Sequence, residues 1–455
     1  MAITDKKTGV WGLDQTYNKQ NQGSIWTYSG VKQLWSWGYN QHGKLGQNNL
    51  TAYSSPVQIY GGGTWGGLVS SGSEHTLATK SDGTLWVWGR NDTSGNLGLN
   101  DRVGRSSPTQ IPGSTWPITD DSKLSCMGSM SAAIKTDGTL WTWGNNYRGG
   151  LGAPGIVWSH ARSSPVQIPG TTWKGVCTGG FGQLATKTDG TLWSWGSNAY
   201  GVLGLNQTGG AWPDYDAGQK YSSPVQIPGT TWDKIPQGVT YSRYATKTDG
   251  TLWSWGYNAS GQIGNNDVTQ RSSPTQIPGT TWNKLYTGRG GTHFAAIKTD
   301  GTLWVMGRNS HGVLGQNQAP AQLTGLSSPI QIPGTWDEIS IGSNHSMGIK
   351  TDGTSWMWGY NSYGNLGQNN RTYYSSPVQI PGTTWNDAFV SSRHMMATKS
   401  DGTMYTWGRN NSGQLGQINV TYYSSPTQIP GTTWSTENVN YNSNRDSSIS
   451  VFNFI

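Results

Sequence analysis

Cysteine, phenylalanine and charge are all scarce in this chain. Among 455 residues there are two cysteines, Cys126 and Cys177, and five phenylalanines, and charged side chains make up only 12%. Two thiols cannot build a disulfide framework. No His or second Cys stands at ligand spacing from either, so both read as free thiols in small buried slots, with no metal or cofactor site expected. No apolar run approaches the roughly 20 residues of a membrane helix, and residues 1–12 are polar and lack a secretory apolar core. The expectation is a protein that inserts into no membrane and leaves a cell, if at all, by lysis or within a larger assembly. Helical periodicity is missing as well: between Asp249 and Gln276 nothing reads as a helix.

What is abundant is glycine and tryptophan, and their order repeats. Eight times the chain writes a Trp-rich strand, a Trp-Gly-x-Asn turn, a Gly-x-Leu-Gly turn, Ser-Ser-Pro-x-Gln-Ile and a Pro-Gly-Thr-Thr-Trp turn, with local variations. The copies open at Trp35, Trp86, Trp141, Trp193, Trp253, Trp304, Trp356 and, in place of the eighth Trp, Tyr405. A period of about 50 residues signals a propeller or a solenoid. The 26 tryptophans supply the core that aliphatic residues do not, since each can bury about 150–250 Å².

The turns explain why each copy folds as strands. Asp-Gly between Ala-Thr-Lys-Thr and Thr-Leu-Trp-Ser-Trp is a strong hairpin signal, because both residues tolerate the positive φ of a twist-matched turn. Pro-Gly suits the centre of a type II turn. Trp253 and Trp255 are two apart and share a face, so each copy has an indole layer that only a neighbour can cover. A closed ring covers all of them. Closure is written at the ends: the strand Leu34 to Gly38 has no preceding partner strand, while residues 446–455 align with the missing one. Ser448 to Val451 is expected beside Leu34 to Trp37.

The net charge of +7 invites a nucleic-acid reading that the pattern does not support. Seven lysines, Lys80, Lys135, Lys187, Lys247, Lys298, Lys350 and Lys399, each precede the Asp of a Lys-x-Asp-Gly turn by two residues. Beside their own counterions they read as a solvated strand edge that discourages pairing with other chains. No specific nucleic-acid partner is expected.

Leu-Trp-x-Trp-Gly-x-Asn-x-x-Gly-x-Leu-Gly and Gly-x-x-His-[Ser/Thr]-x-Ala resemble the two signatures of the RCC1 (regulator of chromosome condensation) repeat family, over roughly residues 31–455. The resemblance implies an all-β fold, a single β-propeller of four-stranded blades with interlocked ends. Eight copies give an expectation of eight blades, with seven plus an unusual extra unit as the alternative. His75 and His345 fit the second signature and His293 partly fits, while Met130, Gln183, Arg243, Arg393-His394 and Arg445 stand nearby in other copies. The histidines read as strand-end hydrogen-bonding residues. The family's nucleotide-exchange activity on a small GTPase rests on specific loops that a repeat match does not carry over.

Catalysis is not expected. Seven of the 23 acids belong to the Asp-Gly turns, and the remaining dense spots, Asp120-Asp121, Asp337-Glu338 and Asp214-x-Asp216, repeat no catalytic spacing. Binding is expected where the copies differ, because insertions in repeat proteins gather in loops on one face. The stretch between Leu-Gly and Ser-Ser-Pro varies most. Copy three carries Trp158, His160 and Arg162 there; copy four carries Trp212, Asp214, Tyr215 and Asp216; copies seven and eight carry Arg371, Tyr373 and Tyr374, and Tyr422 and Tyr423. Aromatics beside acids, amides and Arg suit protein interfaces and sugar stacking alike.

Residues 1–30 belong to no repeat. Their Val10, Trp11, Leu13, Tyr17, Trp26 and Tyr28 form an apolar-aromatic arm too short to fold alone, so it is expected to dock on the propeller or on a partner. The arm resembles the Gly-[Val/Ile]-Trp-x-Leu lead segments of structural proteins in tailed phages. With near-identical repeats and no secretion signal, the leading expectation is a non-enzymatic virion protein of a tailed bacteriophage, a fibre, spike or decoration present in multiple copies. It would be anchored to other virion proteins through the arm and would meet a host-surface glycan or protein through the propeller. The second expectation is a cytoplasmic regulatory propeller that binds a small GTPase or chromatin.

Overall fold

The computed structural model describes residues 32–91, 94–153, 160–180, 182–207, 219–238, 241–288, 291–318 and 320–434, and the backbone of 439–441 and 447–452. Its regular structure is almost entirely β, broken only by single-turn 3₁₀ segments such as Asp121–Lys123. The strands hydrogen-bond into sheets that are antiparallel apart from one parallel pairing, and of consecutive members apart from the last two strands, arranged as a single β-propeller.

One blade shows the plan. Trp65–Ser71, His75–Lys80, Leu85–Gly89 and Arg105–Ile111 pair in order, each antiparallel to the last. Because the strands alternate in direction, every Asp-Gly hairpin and Pro-Gly turn falls at one end, the hairpin end. Every Gly-x-x-His turn and every variable loop falls at the other, the loop end. The blade of copy five lacks a regular first strand and keeps a bridge between Trp232 and Lys247 and backbone bonds of Asp233 and Lys234 to Thr246, since Pro236 beyond them has no N–H to continue the ladder.

Seven sheets are built from strands that follow one another in the chain. Self-contained blades are therefore seven, the alternative number, rather than the eight expected. Among the described residues no strand precedes copy one, which closes with a segment from far along the sequence: Gln33–Gly38 lies between Tyr53–Gln58 and Ser447–Phe452. The register sets Leu34 against Val451 and Trp37 against Ser448, the segments whose pairing the sequence analysis expected. Val439–Tyr441 adds a parallel strand to Trp65–Ser71 and ties the same far end to the next blade.

Indoles join blade to blade. The second Trp of each Trp-x-Trp pair donates its Nε1–H to a backbone carbonyl in the Gly-x-Leu-Gly turn of the preceding copy: Trp88 to Lys44 at 2.8 Å, Trp143 to Asn96 at 3.0 Å, Trp358 to Val313 at 2.7 Å. Trp37 does the same to Gln414, 377 residues away, at 2.9 Å. Copy six has Met306 instead, and its sulfur lies where a Cβ on Gly264 would come within 2.3 Å. Trp86 and Trp88, with Ala78 of their own blade, pack with Leu34 and Ile59 across the blade boundary. The first Gly of Gly-x-Leu-Gly lets the backbones meet: at Gly413, φ is 77° and a Cβ would stand 2.5 Å from the Ser54 Cα.

The recurring lysines are not a solvated edge. Each amine lies over two aromatic rings of its own blade: Lys247 Nζ is 4.9 Å from the Trp232 ring centre and 4.4 Å from that of Trp253. Lys135 lies 4.6 Å from both Trp116 and Trp141, and Lys399 lies 4.9 Å from both Trp385 and Tyr405. All seven are held this way, since the hairpin folds the Lys back between the Trp of the Pro-Gly turn and the first Trp of the pair. Burial holds the Lys80 amine below the usual lysine range, with Asp82 acting the other way. Their aspartates are occupied locally. Asp249 Oδ1 accepts from the Thr251 N–H at 2.9 Å and its hydroxyl at 2.7 Å, and Trp253 Nε1 donates to that hydroxyl oxygen at 2.9 Å. This relay is why the spacing Asp-Gly-Thr-Leu-Trp recurs.

Candidate binding face

The variable loops share a fixed base. In copy seven the Asn361 side chain accepts from the Leu366 N–H at 2.8 Å and donates to the Thr372 carbonyl at 2.8 Å. Asn40, Asn258 and Asn410 make the same two bonds in their copies. The Asn of Trp-Gly-x-Asn therefore clamps each loop at its root, a role the sequence reading did not assign. Residues beyond the clamp are presented to solvent.

The Tyr pairs divide their work. Tyr374 and Tyr423 turn inward against the core, and their hydroxyls accept from Asn370 at 3.0 Å and Asn419 at 2.8 Å. Tyr373 points outward, 44% exposed, beside an exposed Arg371. Tyr373 is the edge of a larger cluster. Its ring centre lies 5.1 Å from that of Tyr360 and 5.6 Å from that of His311, and Tyr360 lies 6.1 Å from Tyr363. Tyr422 packs edge-on to Tyr363 at 5.8 Å. The guanidiniums of Arg393 and Arg409 stand 5.7 Å and 5.5 Å from the Tyr363 ring. Three copies thus contribute to one aromatic and cationic surface.

Of these residues the sequence reading chose Tyr373 and Tyr422 and mentioned Arg393, and it missed His311, Tyr360, Tyr363 and Arg409. A signal was present: at the variable position of Trp-Gly-x-Asn the copies read Tyr39, Arg90, Asn145, Ser197, Tyr257, Arg308, Tyr360 and Arg409. His160 and Arg162 are exposed at the same end in copy three. Trp158, Trp212, Asp214, Tyr215 and Asp216 lie outside the described residues, as do Val10, Trp11, Leu13, Tyr17, Trp26 and Tyr28.

Elsewhere at the loop end, acids are matched by cations. Glu74 meets Arg90 at 2.6 Å and His42 at 3.6 Å, Asp101 meets Arg105 at 2.5 Å, and Asp267 meets Arg271.

The signature histidines are buried at the starts of their strands. His75 Nε2 is 3.0 Å from the Ser131 hydroxyl of the next blade. Burial pushes His75 and His293 down to about 4 and His345 down to about 3, so all three are neutral near pH 7. Cys126 and Cys177 are buried and form no disulfide, and burial pushes the Cys126 thiol up to about 12. Asp120 caps the turn at Ser122 in copy three, whereas Asp337, in copy seven, pairs with Lys284 of the neighbouring blade at 2.9 Å. Burial, with Asp387 alongside, pushes Glu338 up to about 8. No group of three or more His, Cys, Asp or Glu among the described residues is placed to hold a metal.

Similar proteins come from cells. The chain is 28% identical over 329 residues to the ultraviolet-B receptor UVR8 of Arabidopsis thaliana, covering 69% of each. It is 28% identical over 249 residues to the mitochondrial RCC1 domain-containing protein RUG3 of the same plant, covering 51% of each. It therefore spans about half to two thirds of these relatives. The crystal structure of Prp20p from Saccharomyces cerevisiae, described together with its binding to Gsp1p and histones, matches with a TM-score of 0.58 at 17% identity, over 95% of this chain and 94% of that one. These relatives overturn the expected placement in a virion, and the likeness of residues 1–30 to phage lead segments finds no support among them. The model of the regulator of chromosome condensation (RCC1) repeat matches residues 33–79, 189–239, 249–296, 352–398 and 401–436, just over half of the sequence, and a second model of the repeat matches 68–95 and 336–365. The chain belongs to the RCC1 repeat family.

Proposed function

We propose that this protein is a non-catalytic regulatory propeller that binds a protein partner through the loop end of copies six to eight. The observation that carries the reading is the cluster of Tyr360, Tyr363, Tyr373 and Tyr422 with Arg393 and Arg409. Tyr and Arg are the side chains that most often anchor protein interfaces, because each buries a large area at little conformational cost or in fixed hydrogen-bond geometry. The loops that hold them are clamped by Asn at their roots, so little ordering is left to oppose association.

Small GTPases and chromatin components are the first partner classes to try, given what the Prp20p structure is described with. Residues 1–30 supply a second contact, docking on the propeller or on the same partner. The test is retention of nucleotide-free small GTPases and of mononucleosomes on the immobilised protein, with and without residues 1–30. A protein interface persists as salt rises, whereas attachment through nucleic-acid phosphates weakens steeply. Retention of neither class at any ionic strength refutes the reading.

A further inference from the structure

We infer that the loop end, along the arc of copies seven, eight, one and two, is a docking face for an anionic lipid surface. The inference goes beyond the protein partner proposed above and does not depend on it. Its basis is charge complementarity together with exposed aliphatic side chains on the same rim. Charge is divided unequally between the two ends of the ring. Between residues 38 and 434 the segments at the loop end hold twelve Arg and two Lys against six acids, a balance of +8. Those at the hairpin end hold eleven Lys against thirteen acids, a balance of −2. Every arginine of that span therefore belongs to the loop end, and the loops 39–52, 360–373 and 409–422 contain no Asp or Glu at all.

One turn, repeated, builds the rim of this arc. Asn370 Oδ1 accepts from the Thr372 N–H at 2.9 Å, and Asn419, Asn49 and Asp101 accept in the same way from Thr421, Thr51 and Val103, each at 2.9 Å. Each is an Asx turn that puts the intervening residue at its tip. In ring order the tips are Arg371, Val420, Leu50 and Arg102, because copy eight meets copy one where the Ile418 N–H donates to the Ser54 carbonyl at 2.6 Å. Both arginines are exposed, and the Asp101 carboxylate is engaged by Arg105 instead. Leu50 is 62% exposed, Val420 58% and Ile418 77%. Ile418 has a φ of 62° at a position where six other copies place Asn, a conformation that β-branched residues rarely adopt. The centre of the arc is thus aliphatic and its flanks are cationic. On an anionic bilayer the aliphatic tips reach the boundary of headgroups and acyl chains while the arginines meet headgroup phosphates and carboxylates. A nucleic-acid strand offers phosphates but nothing that covers Leu50, Ile418 and Val420.

The test is co-sedimentation of the full chain with vesicles of phosphatidylcholine alone and with vesicles that also contain about 30% phosphatidylserine. Retention on the second kind only is expected. The Arg102→Gln/Arg371→Gln double variant should bind roughly thirtyfold more weakly, at about fivefold for each arginine. The Leu50→Ser/Ile418→Asn/Val420→Ser triple variant should bind about tenfold more weakly or worse. Neither variant should unfold at a lower temperature, because all five side chains are at the surface. Lys174→Gln, which removes a cation from the hairpin end, should bind as the parent does. Equal retention on both kinds of vesicle, retention on neither, or a triple variant retained like the parent overturns the inference. So does tighter binding of duplex DNA with the same phosphate content, which marks a face that reads polyanions rather than lipid. If the vesicles are bound as stated while no GTPase or nucleosome is retained, the lipid face stands and the proposed partner classes fall. If a GTPase or nucleosome is retained and the vesicles are not, the partner class stands and this docking face falls.

Discussion

Replacing Lys247 by Met separates two accounts of the lysine ring. Met keeps most of the aliphatic stem and removes the charge. A cation over an aromatic face contributes about 0.5–2 kcal/mol, depending on how far it is desolvated, and Lys247 faces two rings at 4.9 and 4.4 Å. Because the amine is only partly buried, the lower half of the range applies, giving roughly 1–2 kcal/mol for the pair of contacts. At about 2.1 cal/mol/K of unfolding entropy per residue, a chain of 455 residues loses about 1 °C in Tm for each kcal/mol. One substitution therefore lowers Tm by about 1–2 °C, and Met at all seven positions by roughly ten. The assay is urea unfolding followed by tryptophan fluorescence, with Lys284→Met as the control. That lysine loses the same charge but only an exposed pair with Asp337, for which about 0–1 kcal/mol is usual. A double-mutant cycle with Trp253→Leu should return a coupling of about 0.5–2 kcal/mol. If Lys247→Met is no worse than Lys284→Met and the cycle shows no coupling, the lysines are solvent-facing after all.

Acid should unfold the protein in two stages. Burial lowers His75, His293 and His345 below the ordinary 6.5; the unfolded chain then binds protons that the fold refuses, so their contribution is complete above pH 6.5 and lost from there down to about pH 4 for the first two and about pH 3 for His345, and Tm against pH should flatten across that window for His345→Gln. The hairpin aspartates are held below the carboxylate range, first by the Thr hydroxyl and then by the Thr N–H. Their contribution is full above the unfolded carboxylate pKa and lost as pH falls through the folded one, a later step that Asp→Asn changes at these sites should diminish. Trp37→Phe removes the indole donor to Gln414 and should cost about 1–3 kcal/mol by stranding that carbonyl, seen as faster hydrogen exchange in Leu34 to Trp37 and unchanged exchange in distant blades. Gly413→Ala places a Cβ 2.5 Å from the Ser54 Cα at a φ of 77° and should lower stability by about 1–3 kcal/mol, measured by the same urea titration.

The ring was legible because its signals are local and repeated. Asp-Gly and Pro-Gly fix the turns, paired Trp fix the faces, and the unpaired strand at Leu34 left one place for Ser448 to Val451. The lysines were misread because charge and spacing say nothing about where a long side chain folds back. Only the hairpin geometry brings Lys247 between Trp232 and Trp253, twenty-one residues apart in sequence. The binding face was half legible for a similar reason. Tyr373 and Tyr422 stand out as loop aromatics, but Arg393 and Arg409 reach Tyr363 only because neighbouring copies meet at the rim. Identical-looking Tyr neighbours parted company according to strand alternation, with Tyr374 and Tyr423 taking the inward positions.

The strand that closes copy one comes from residues 447–452, and this orders events during synthesis. Seven blades can form as the ribosome delivers them, yet Gln33–Gly38 keeps one unsatisfied row of amides and carbonyls until residues 447–452 have emerged. Throughout that interval the open row is a template for a segment of another nascent molecule. Crowded polysomes, rather than the finished disc, are where this protein is most exposed to swapping its ends with a neighbour.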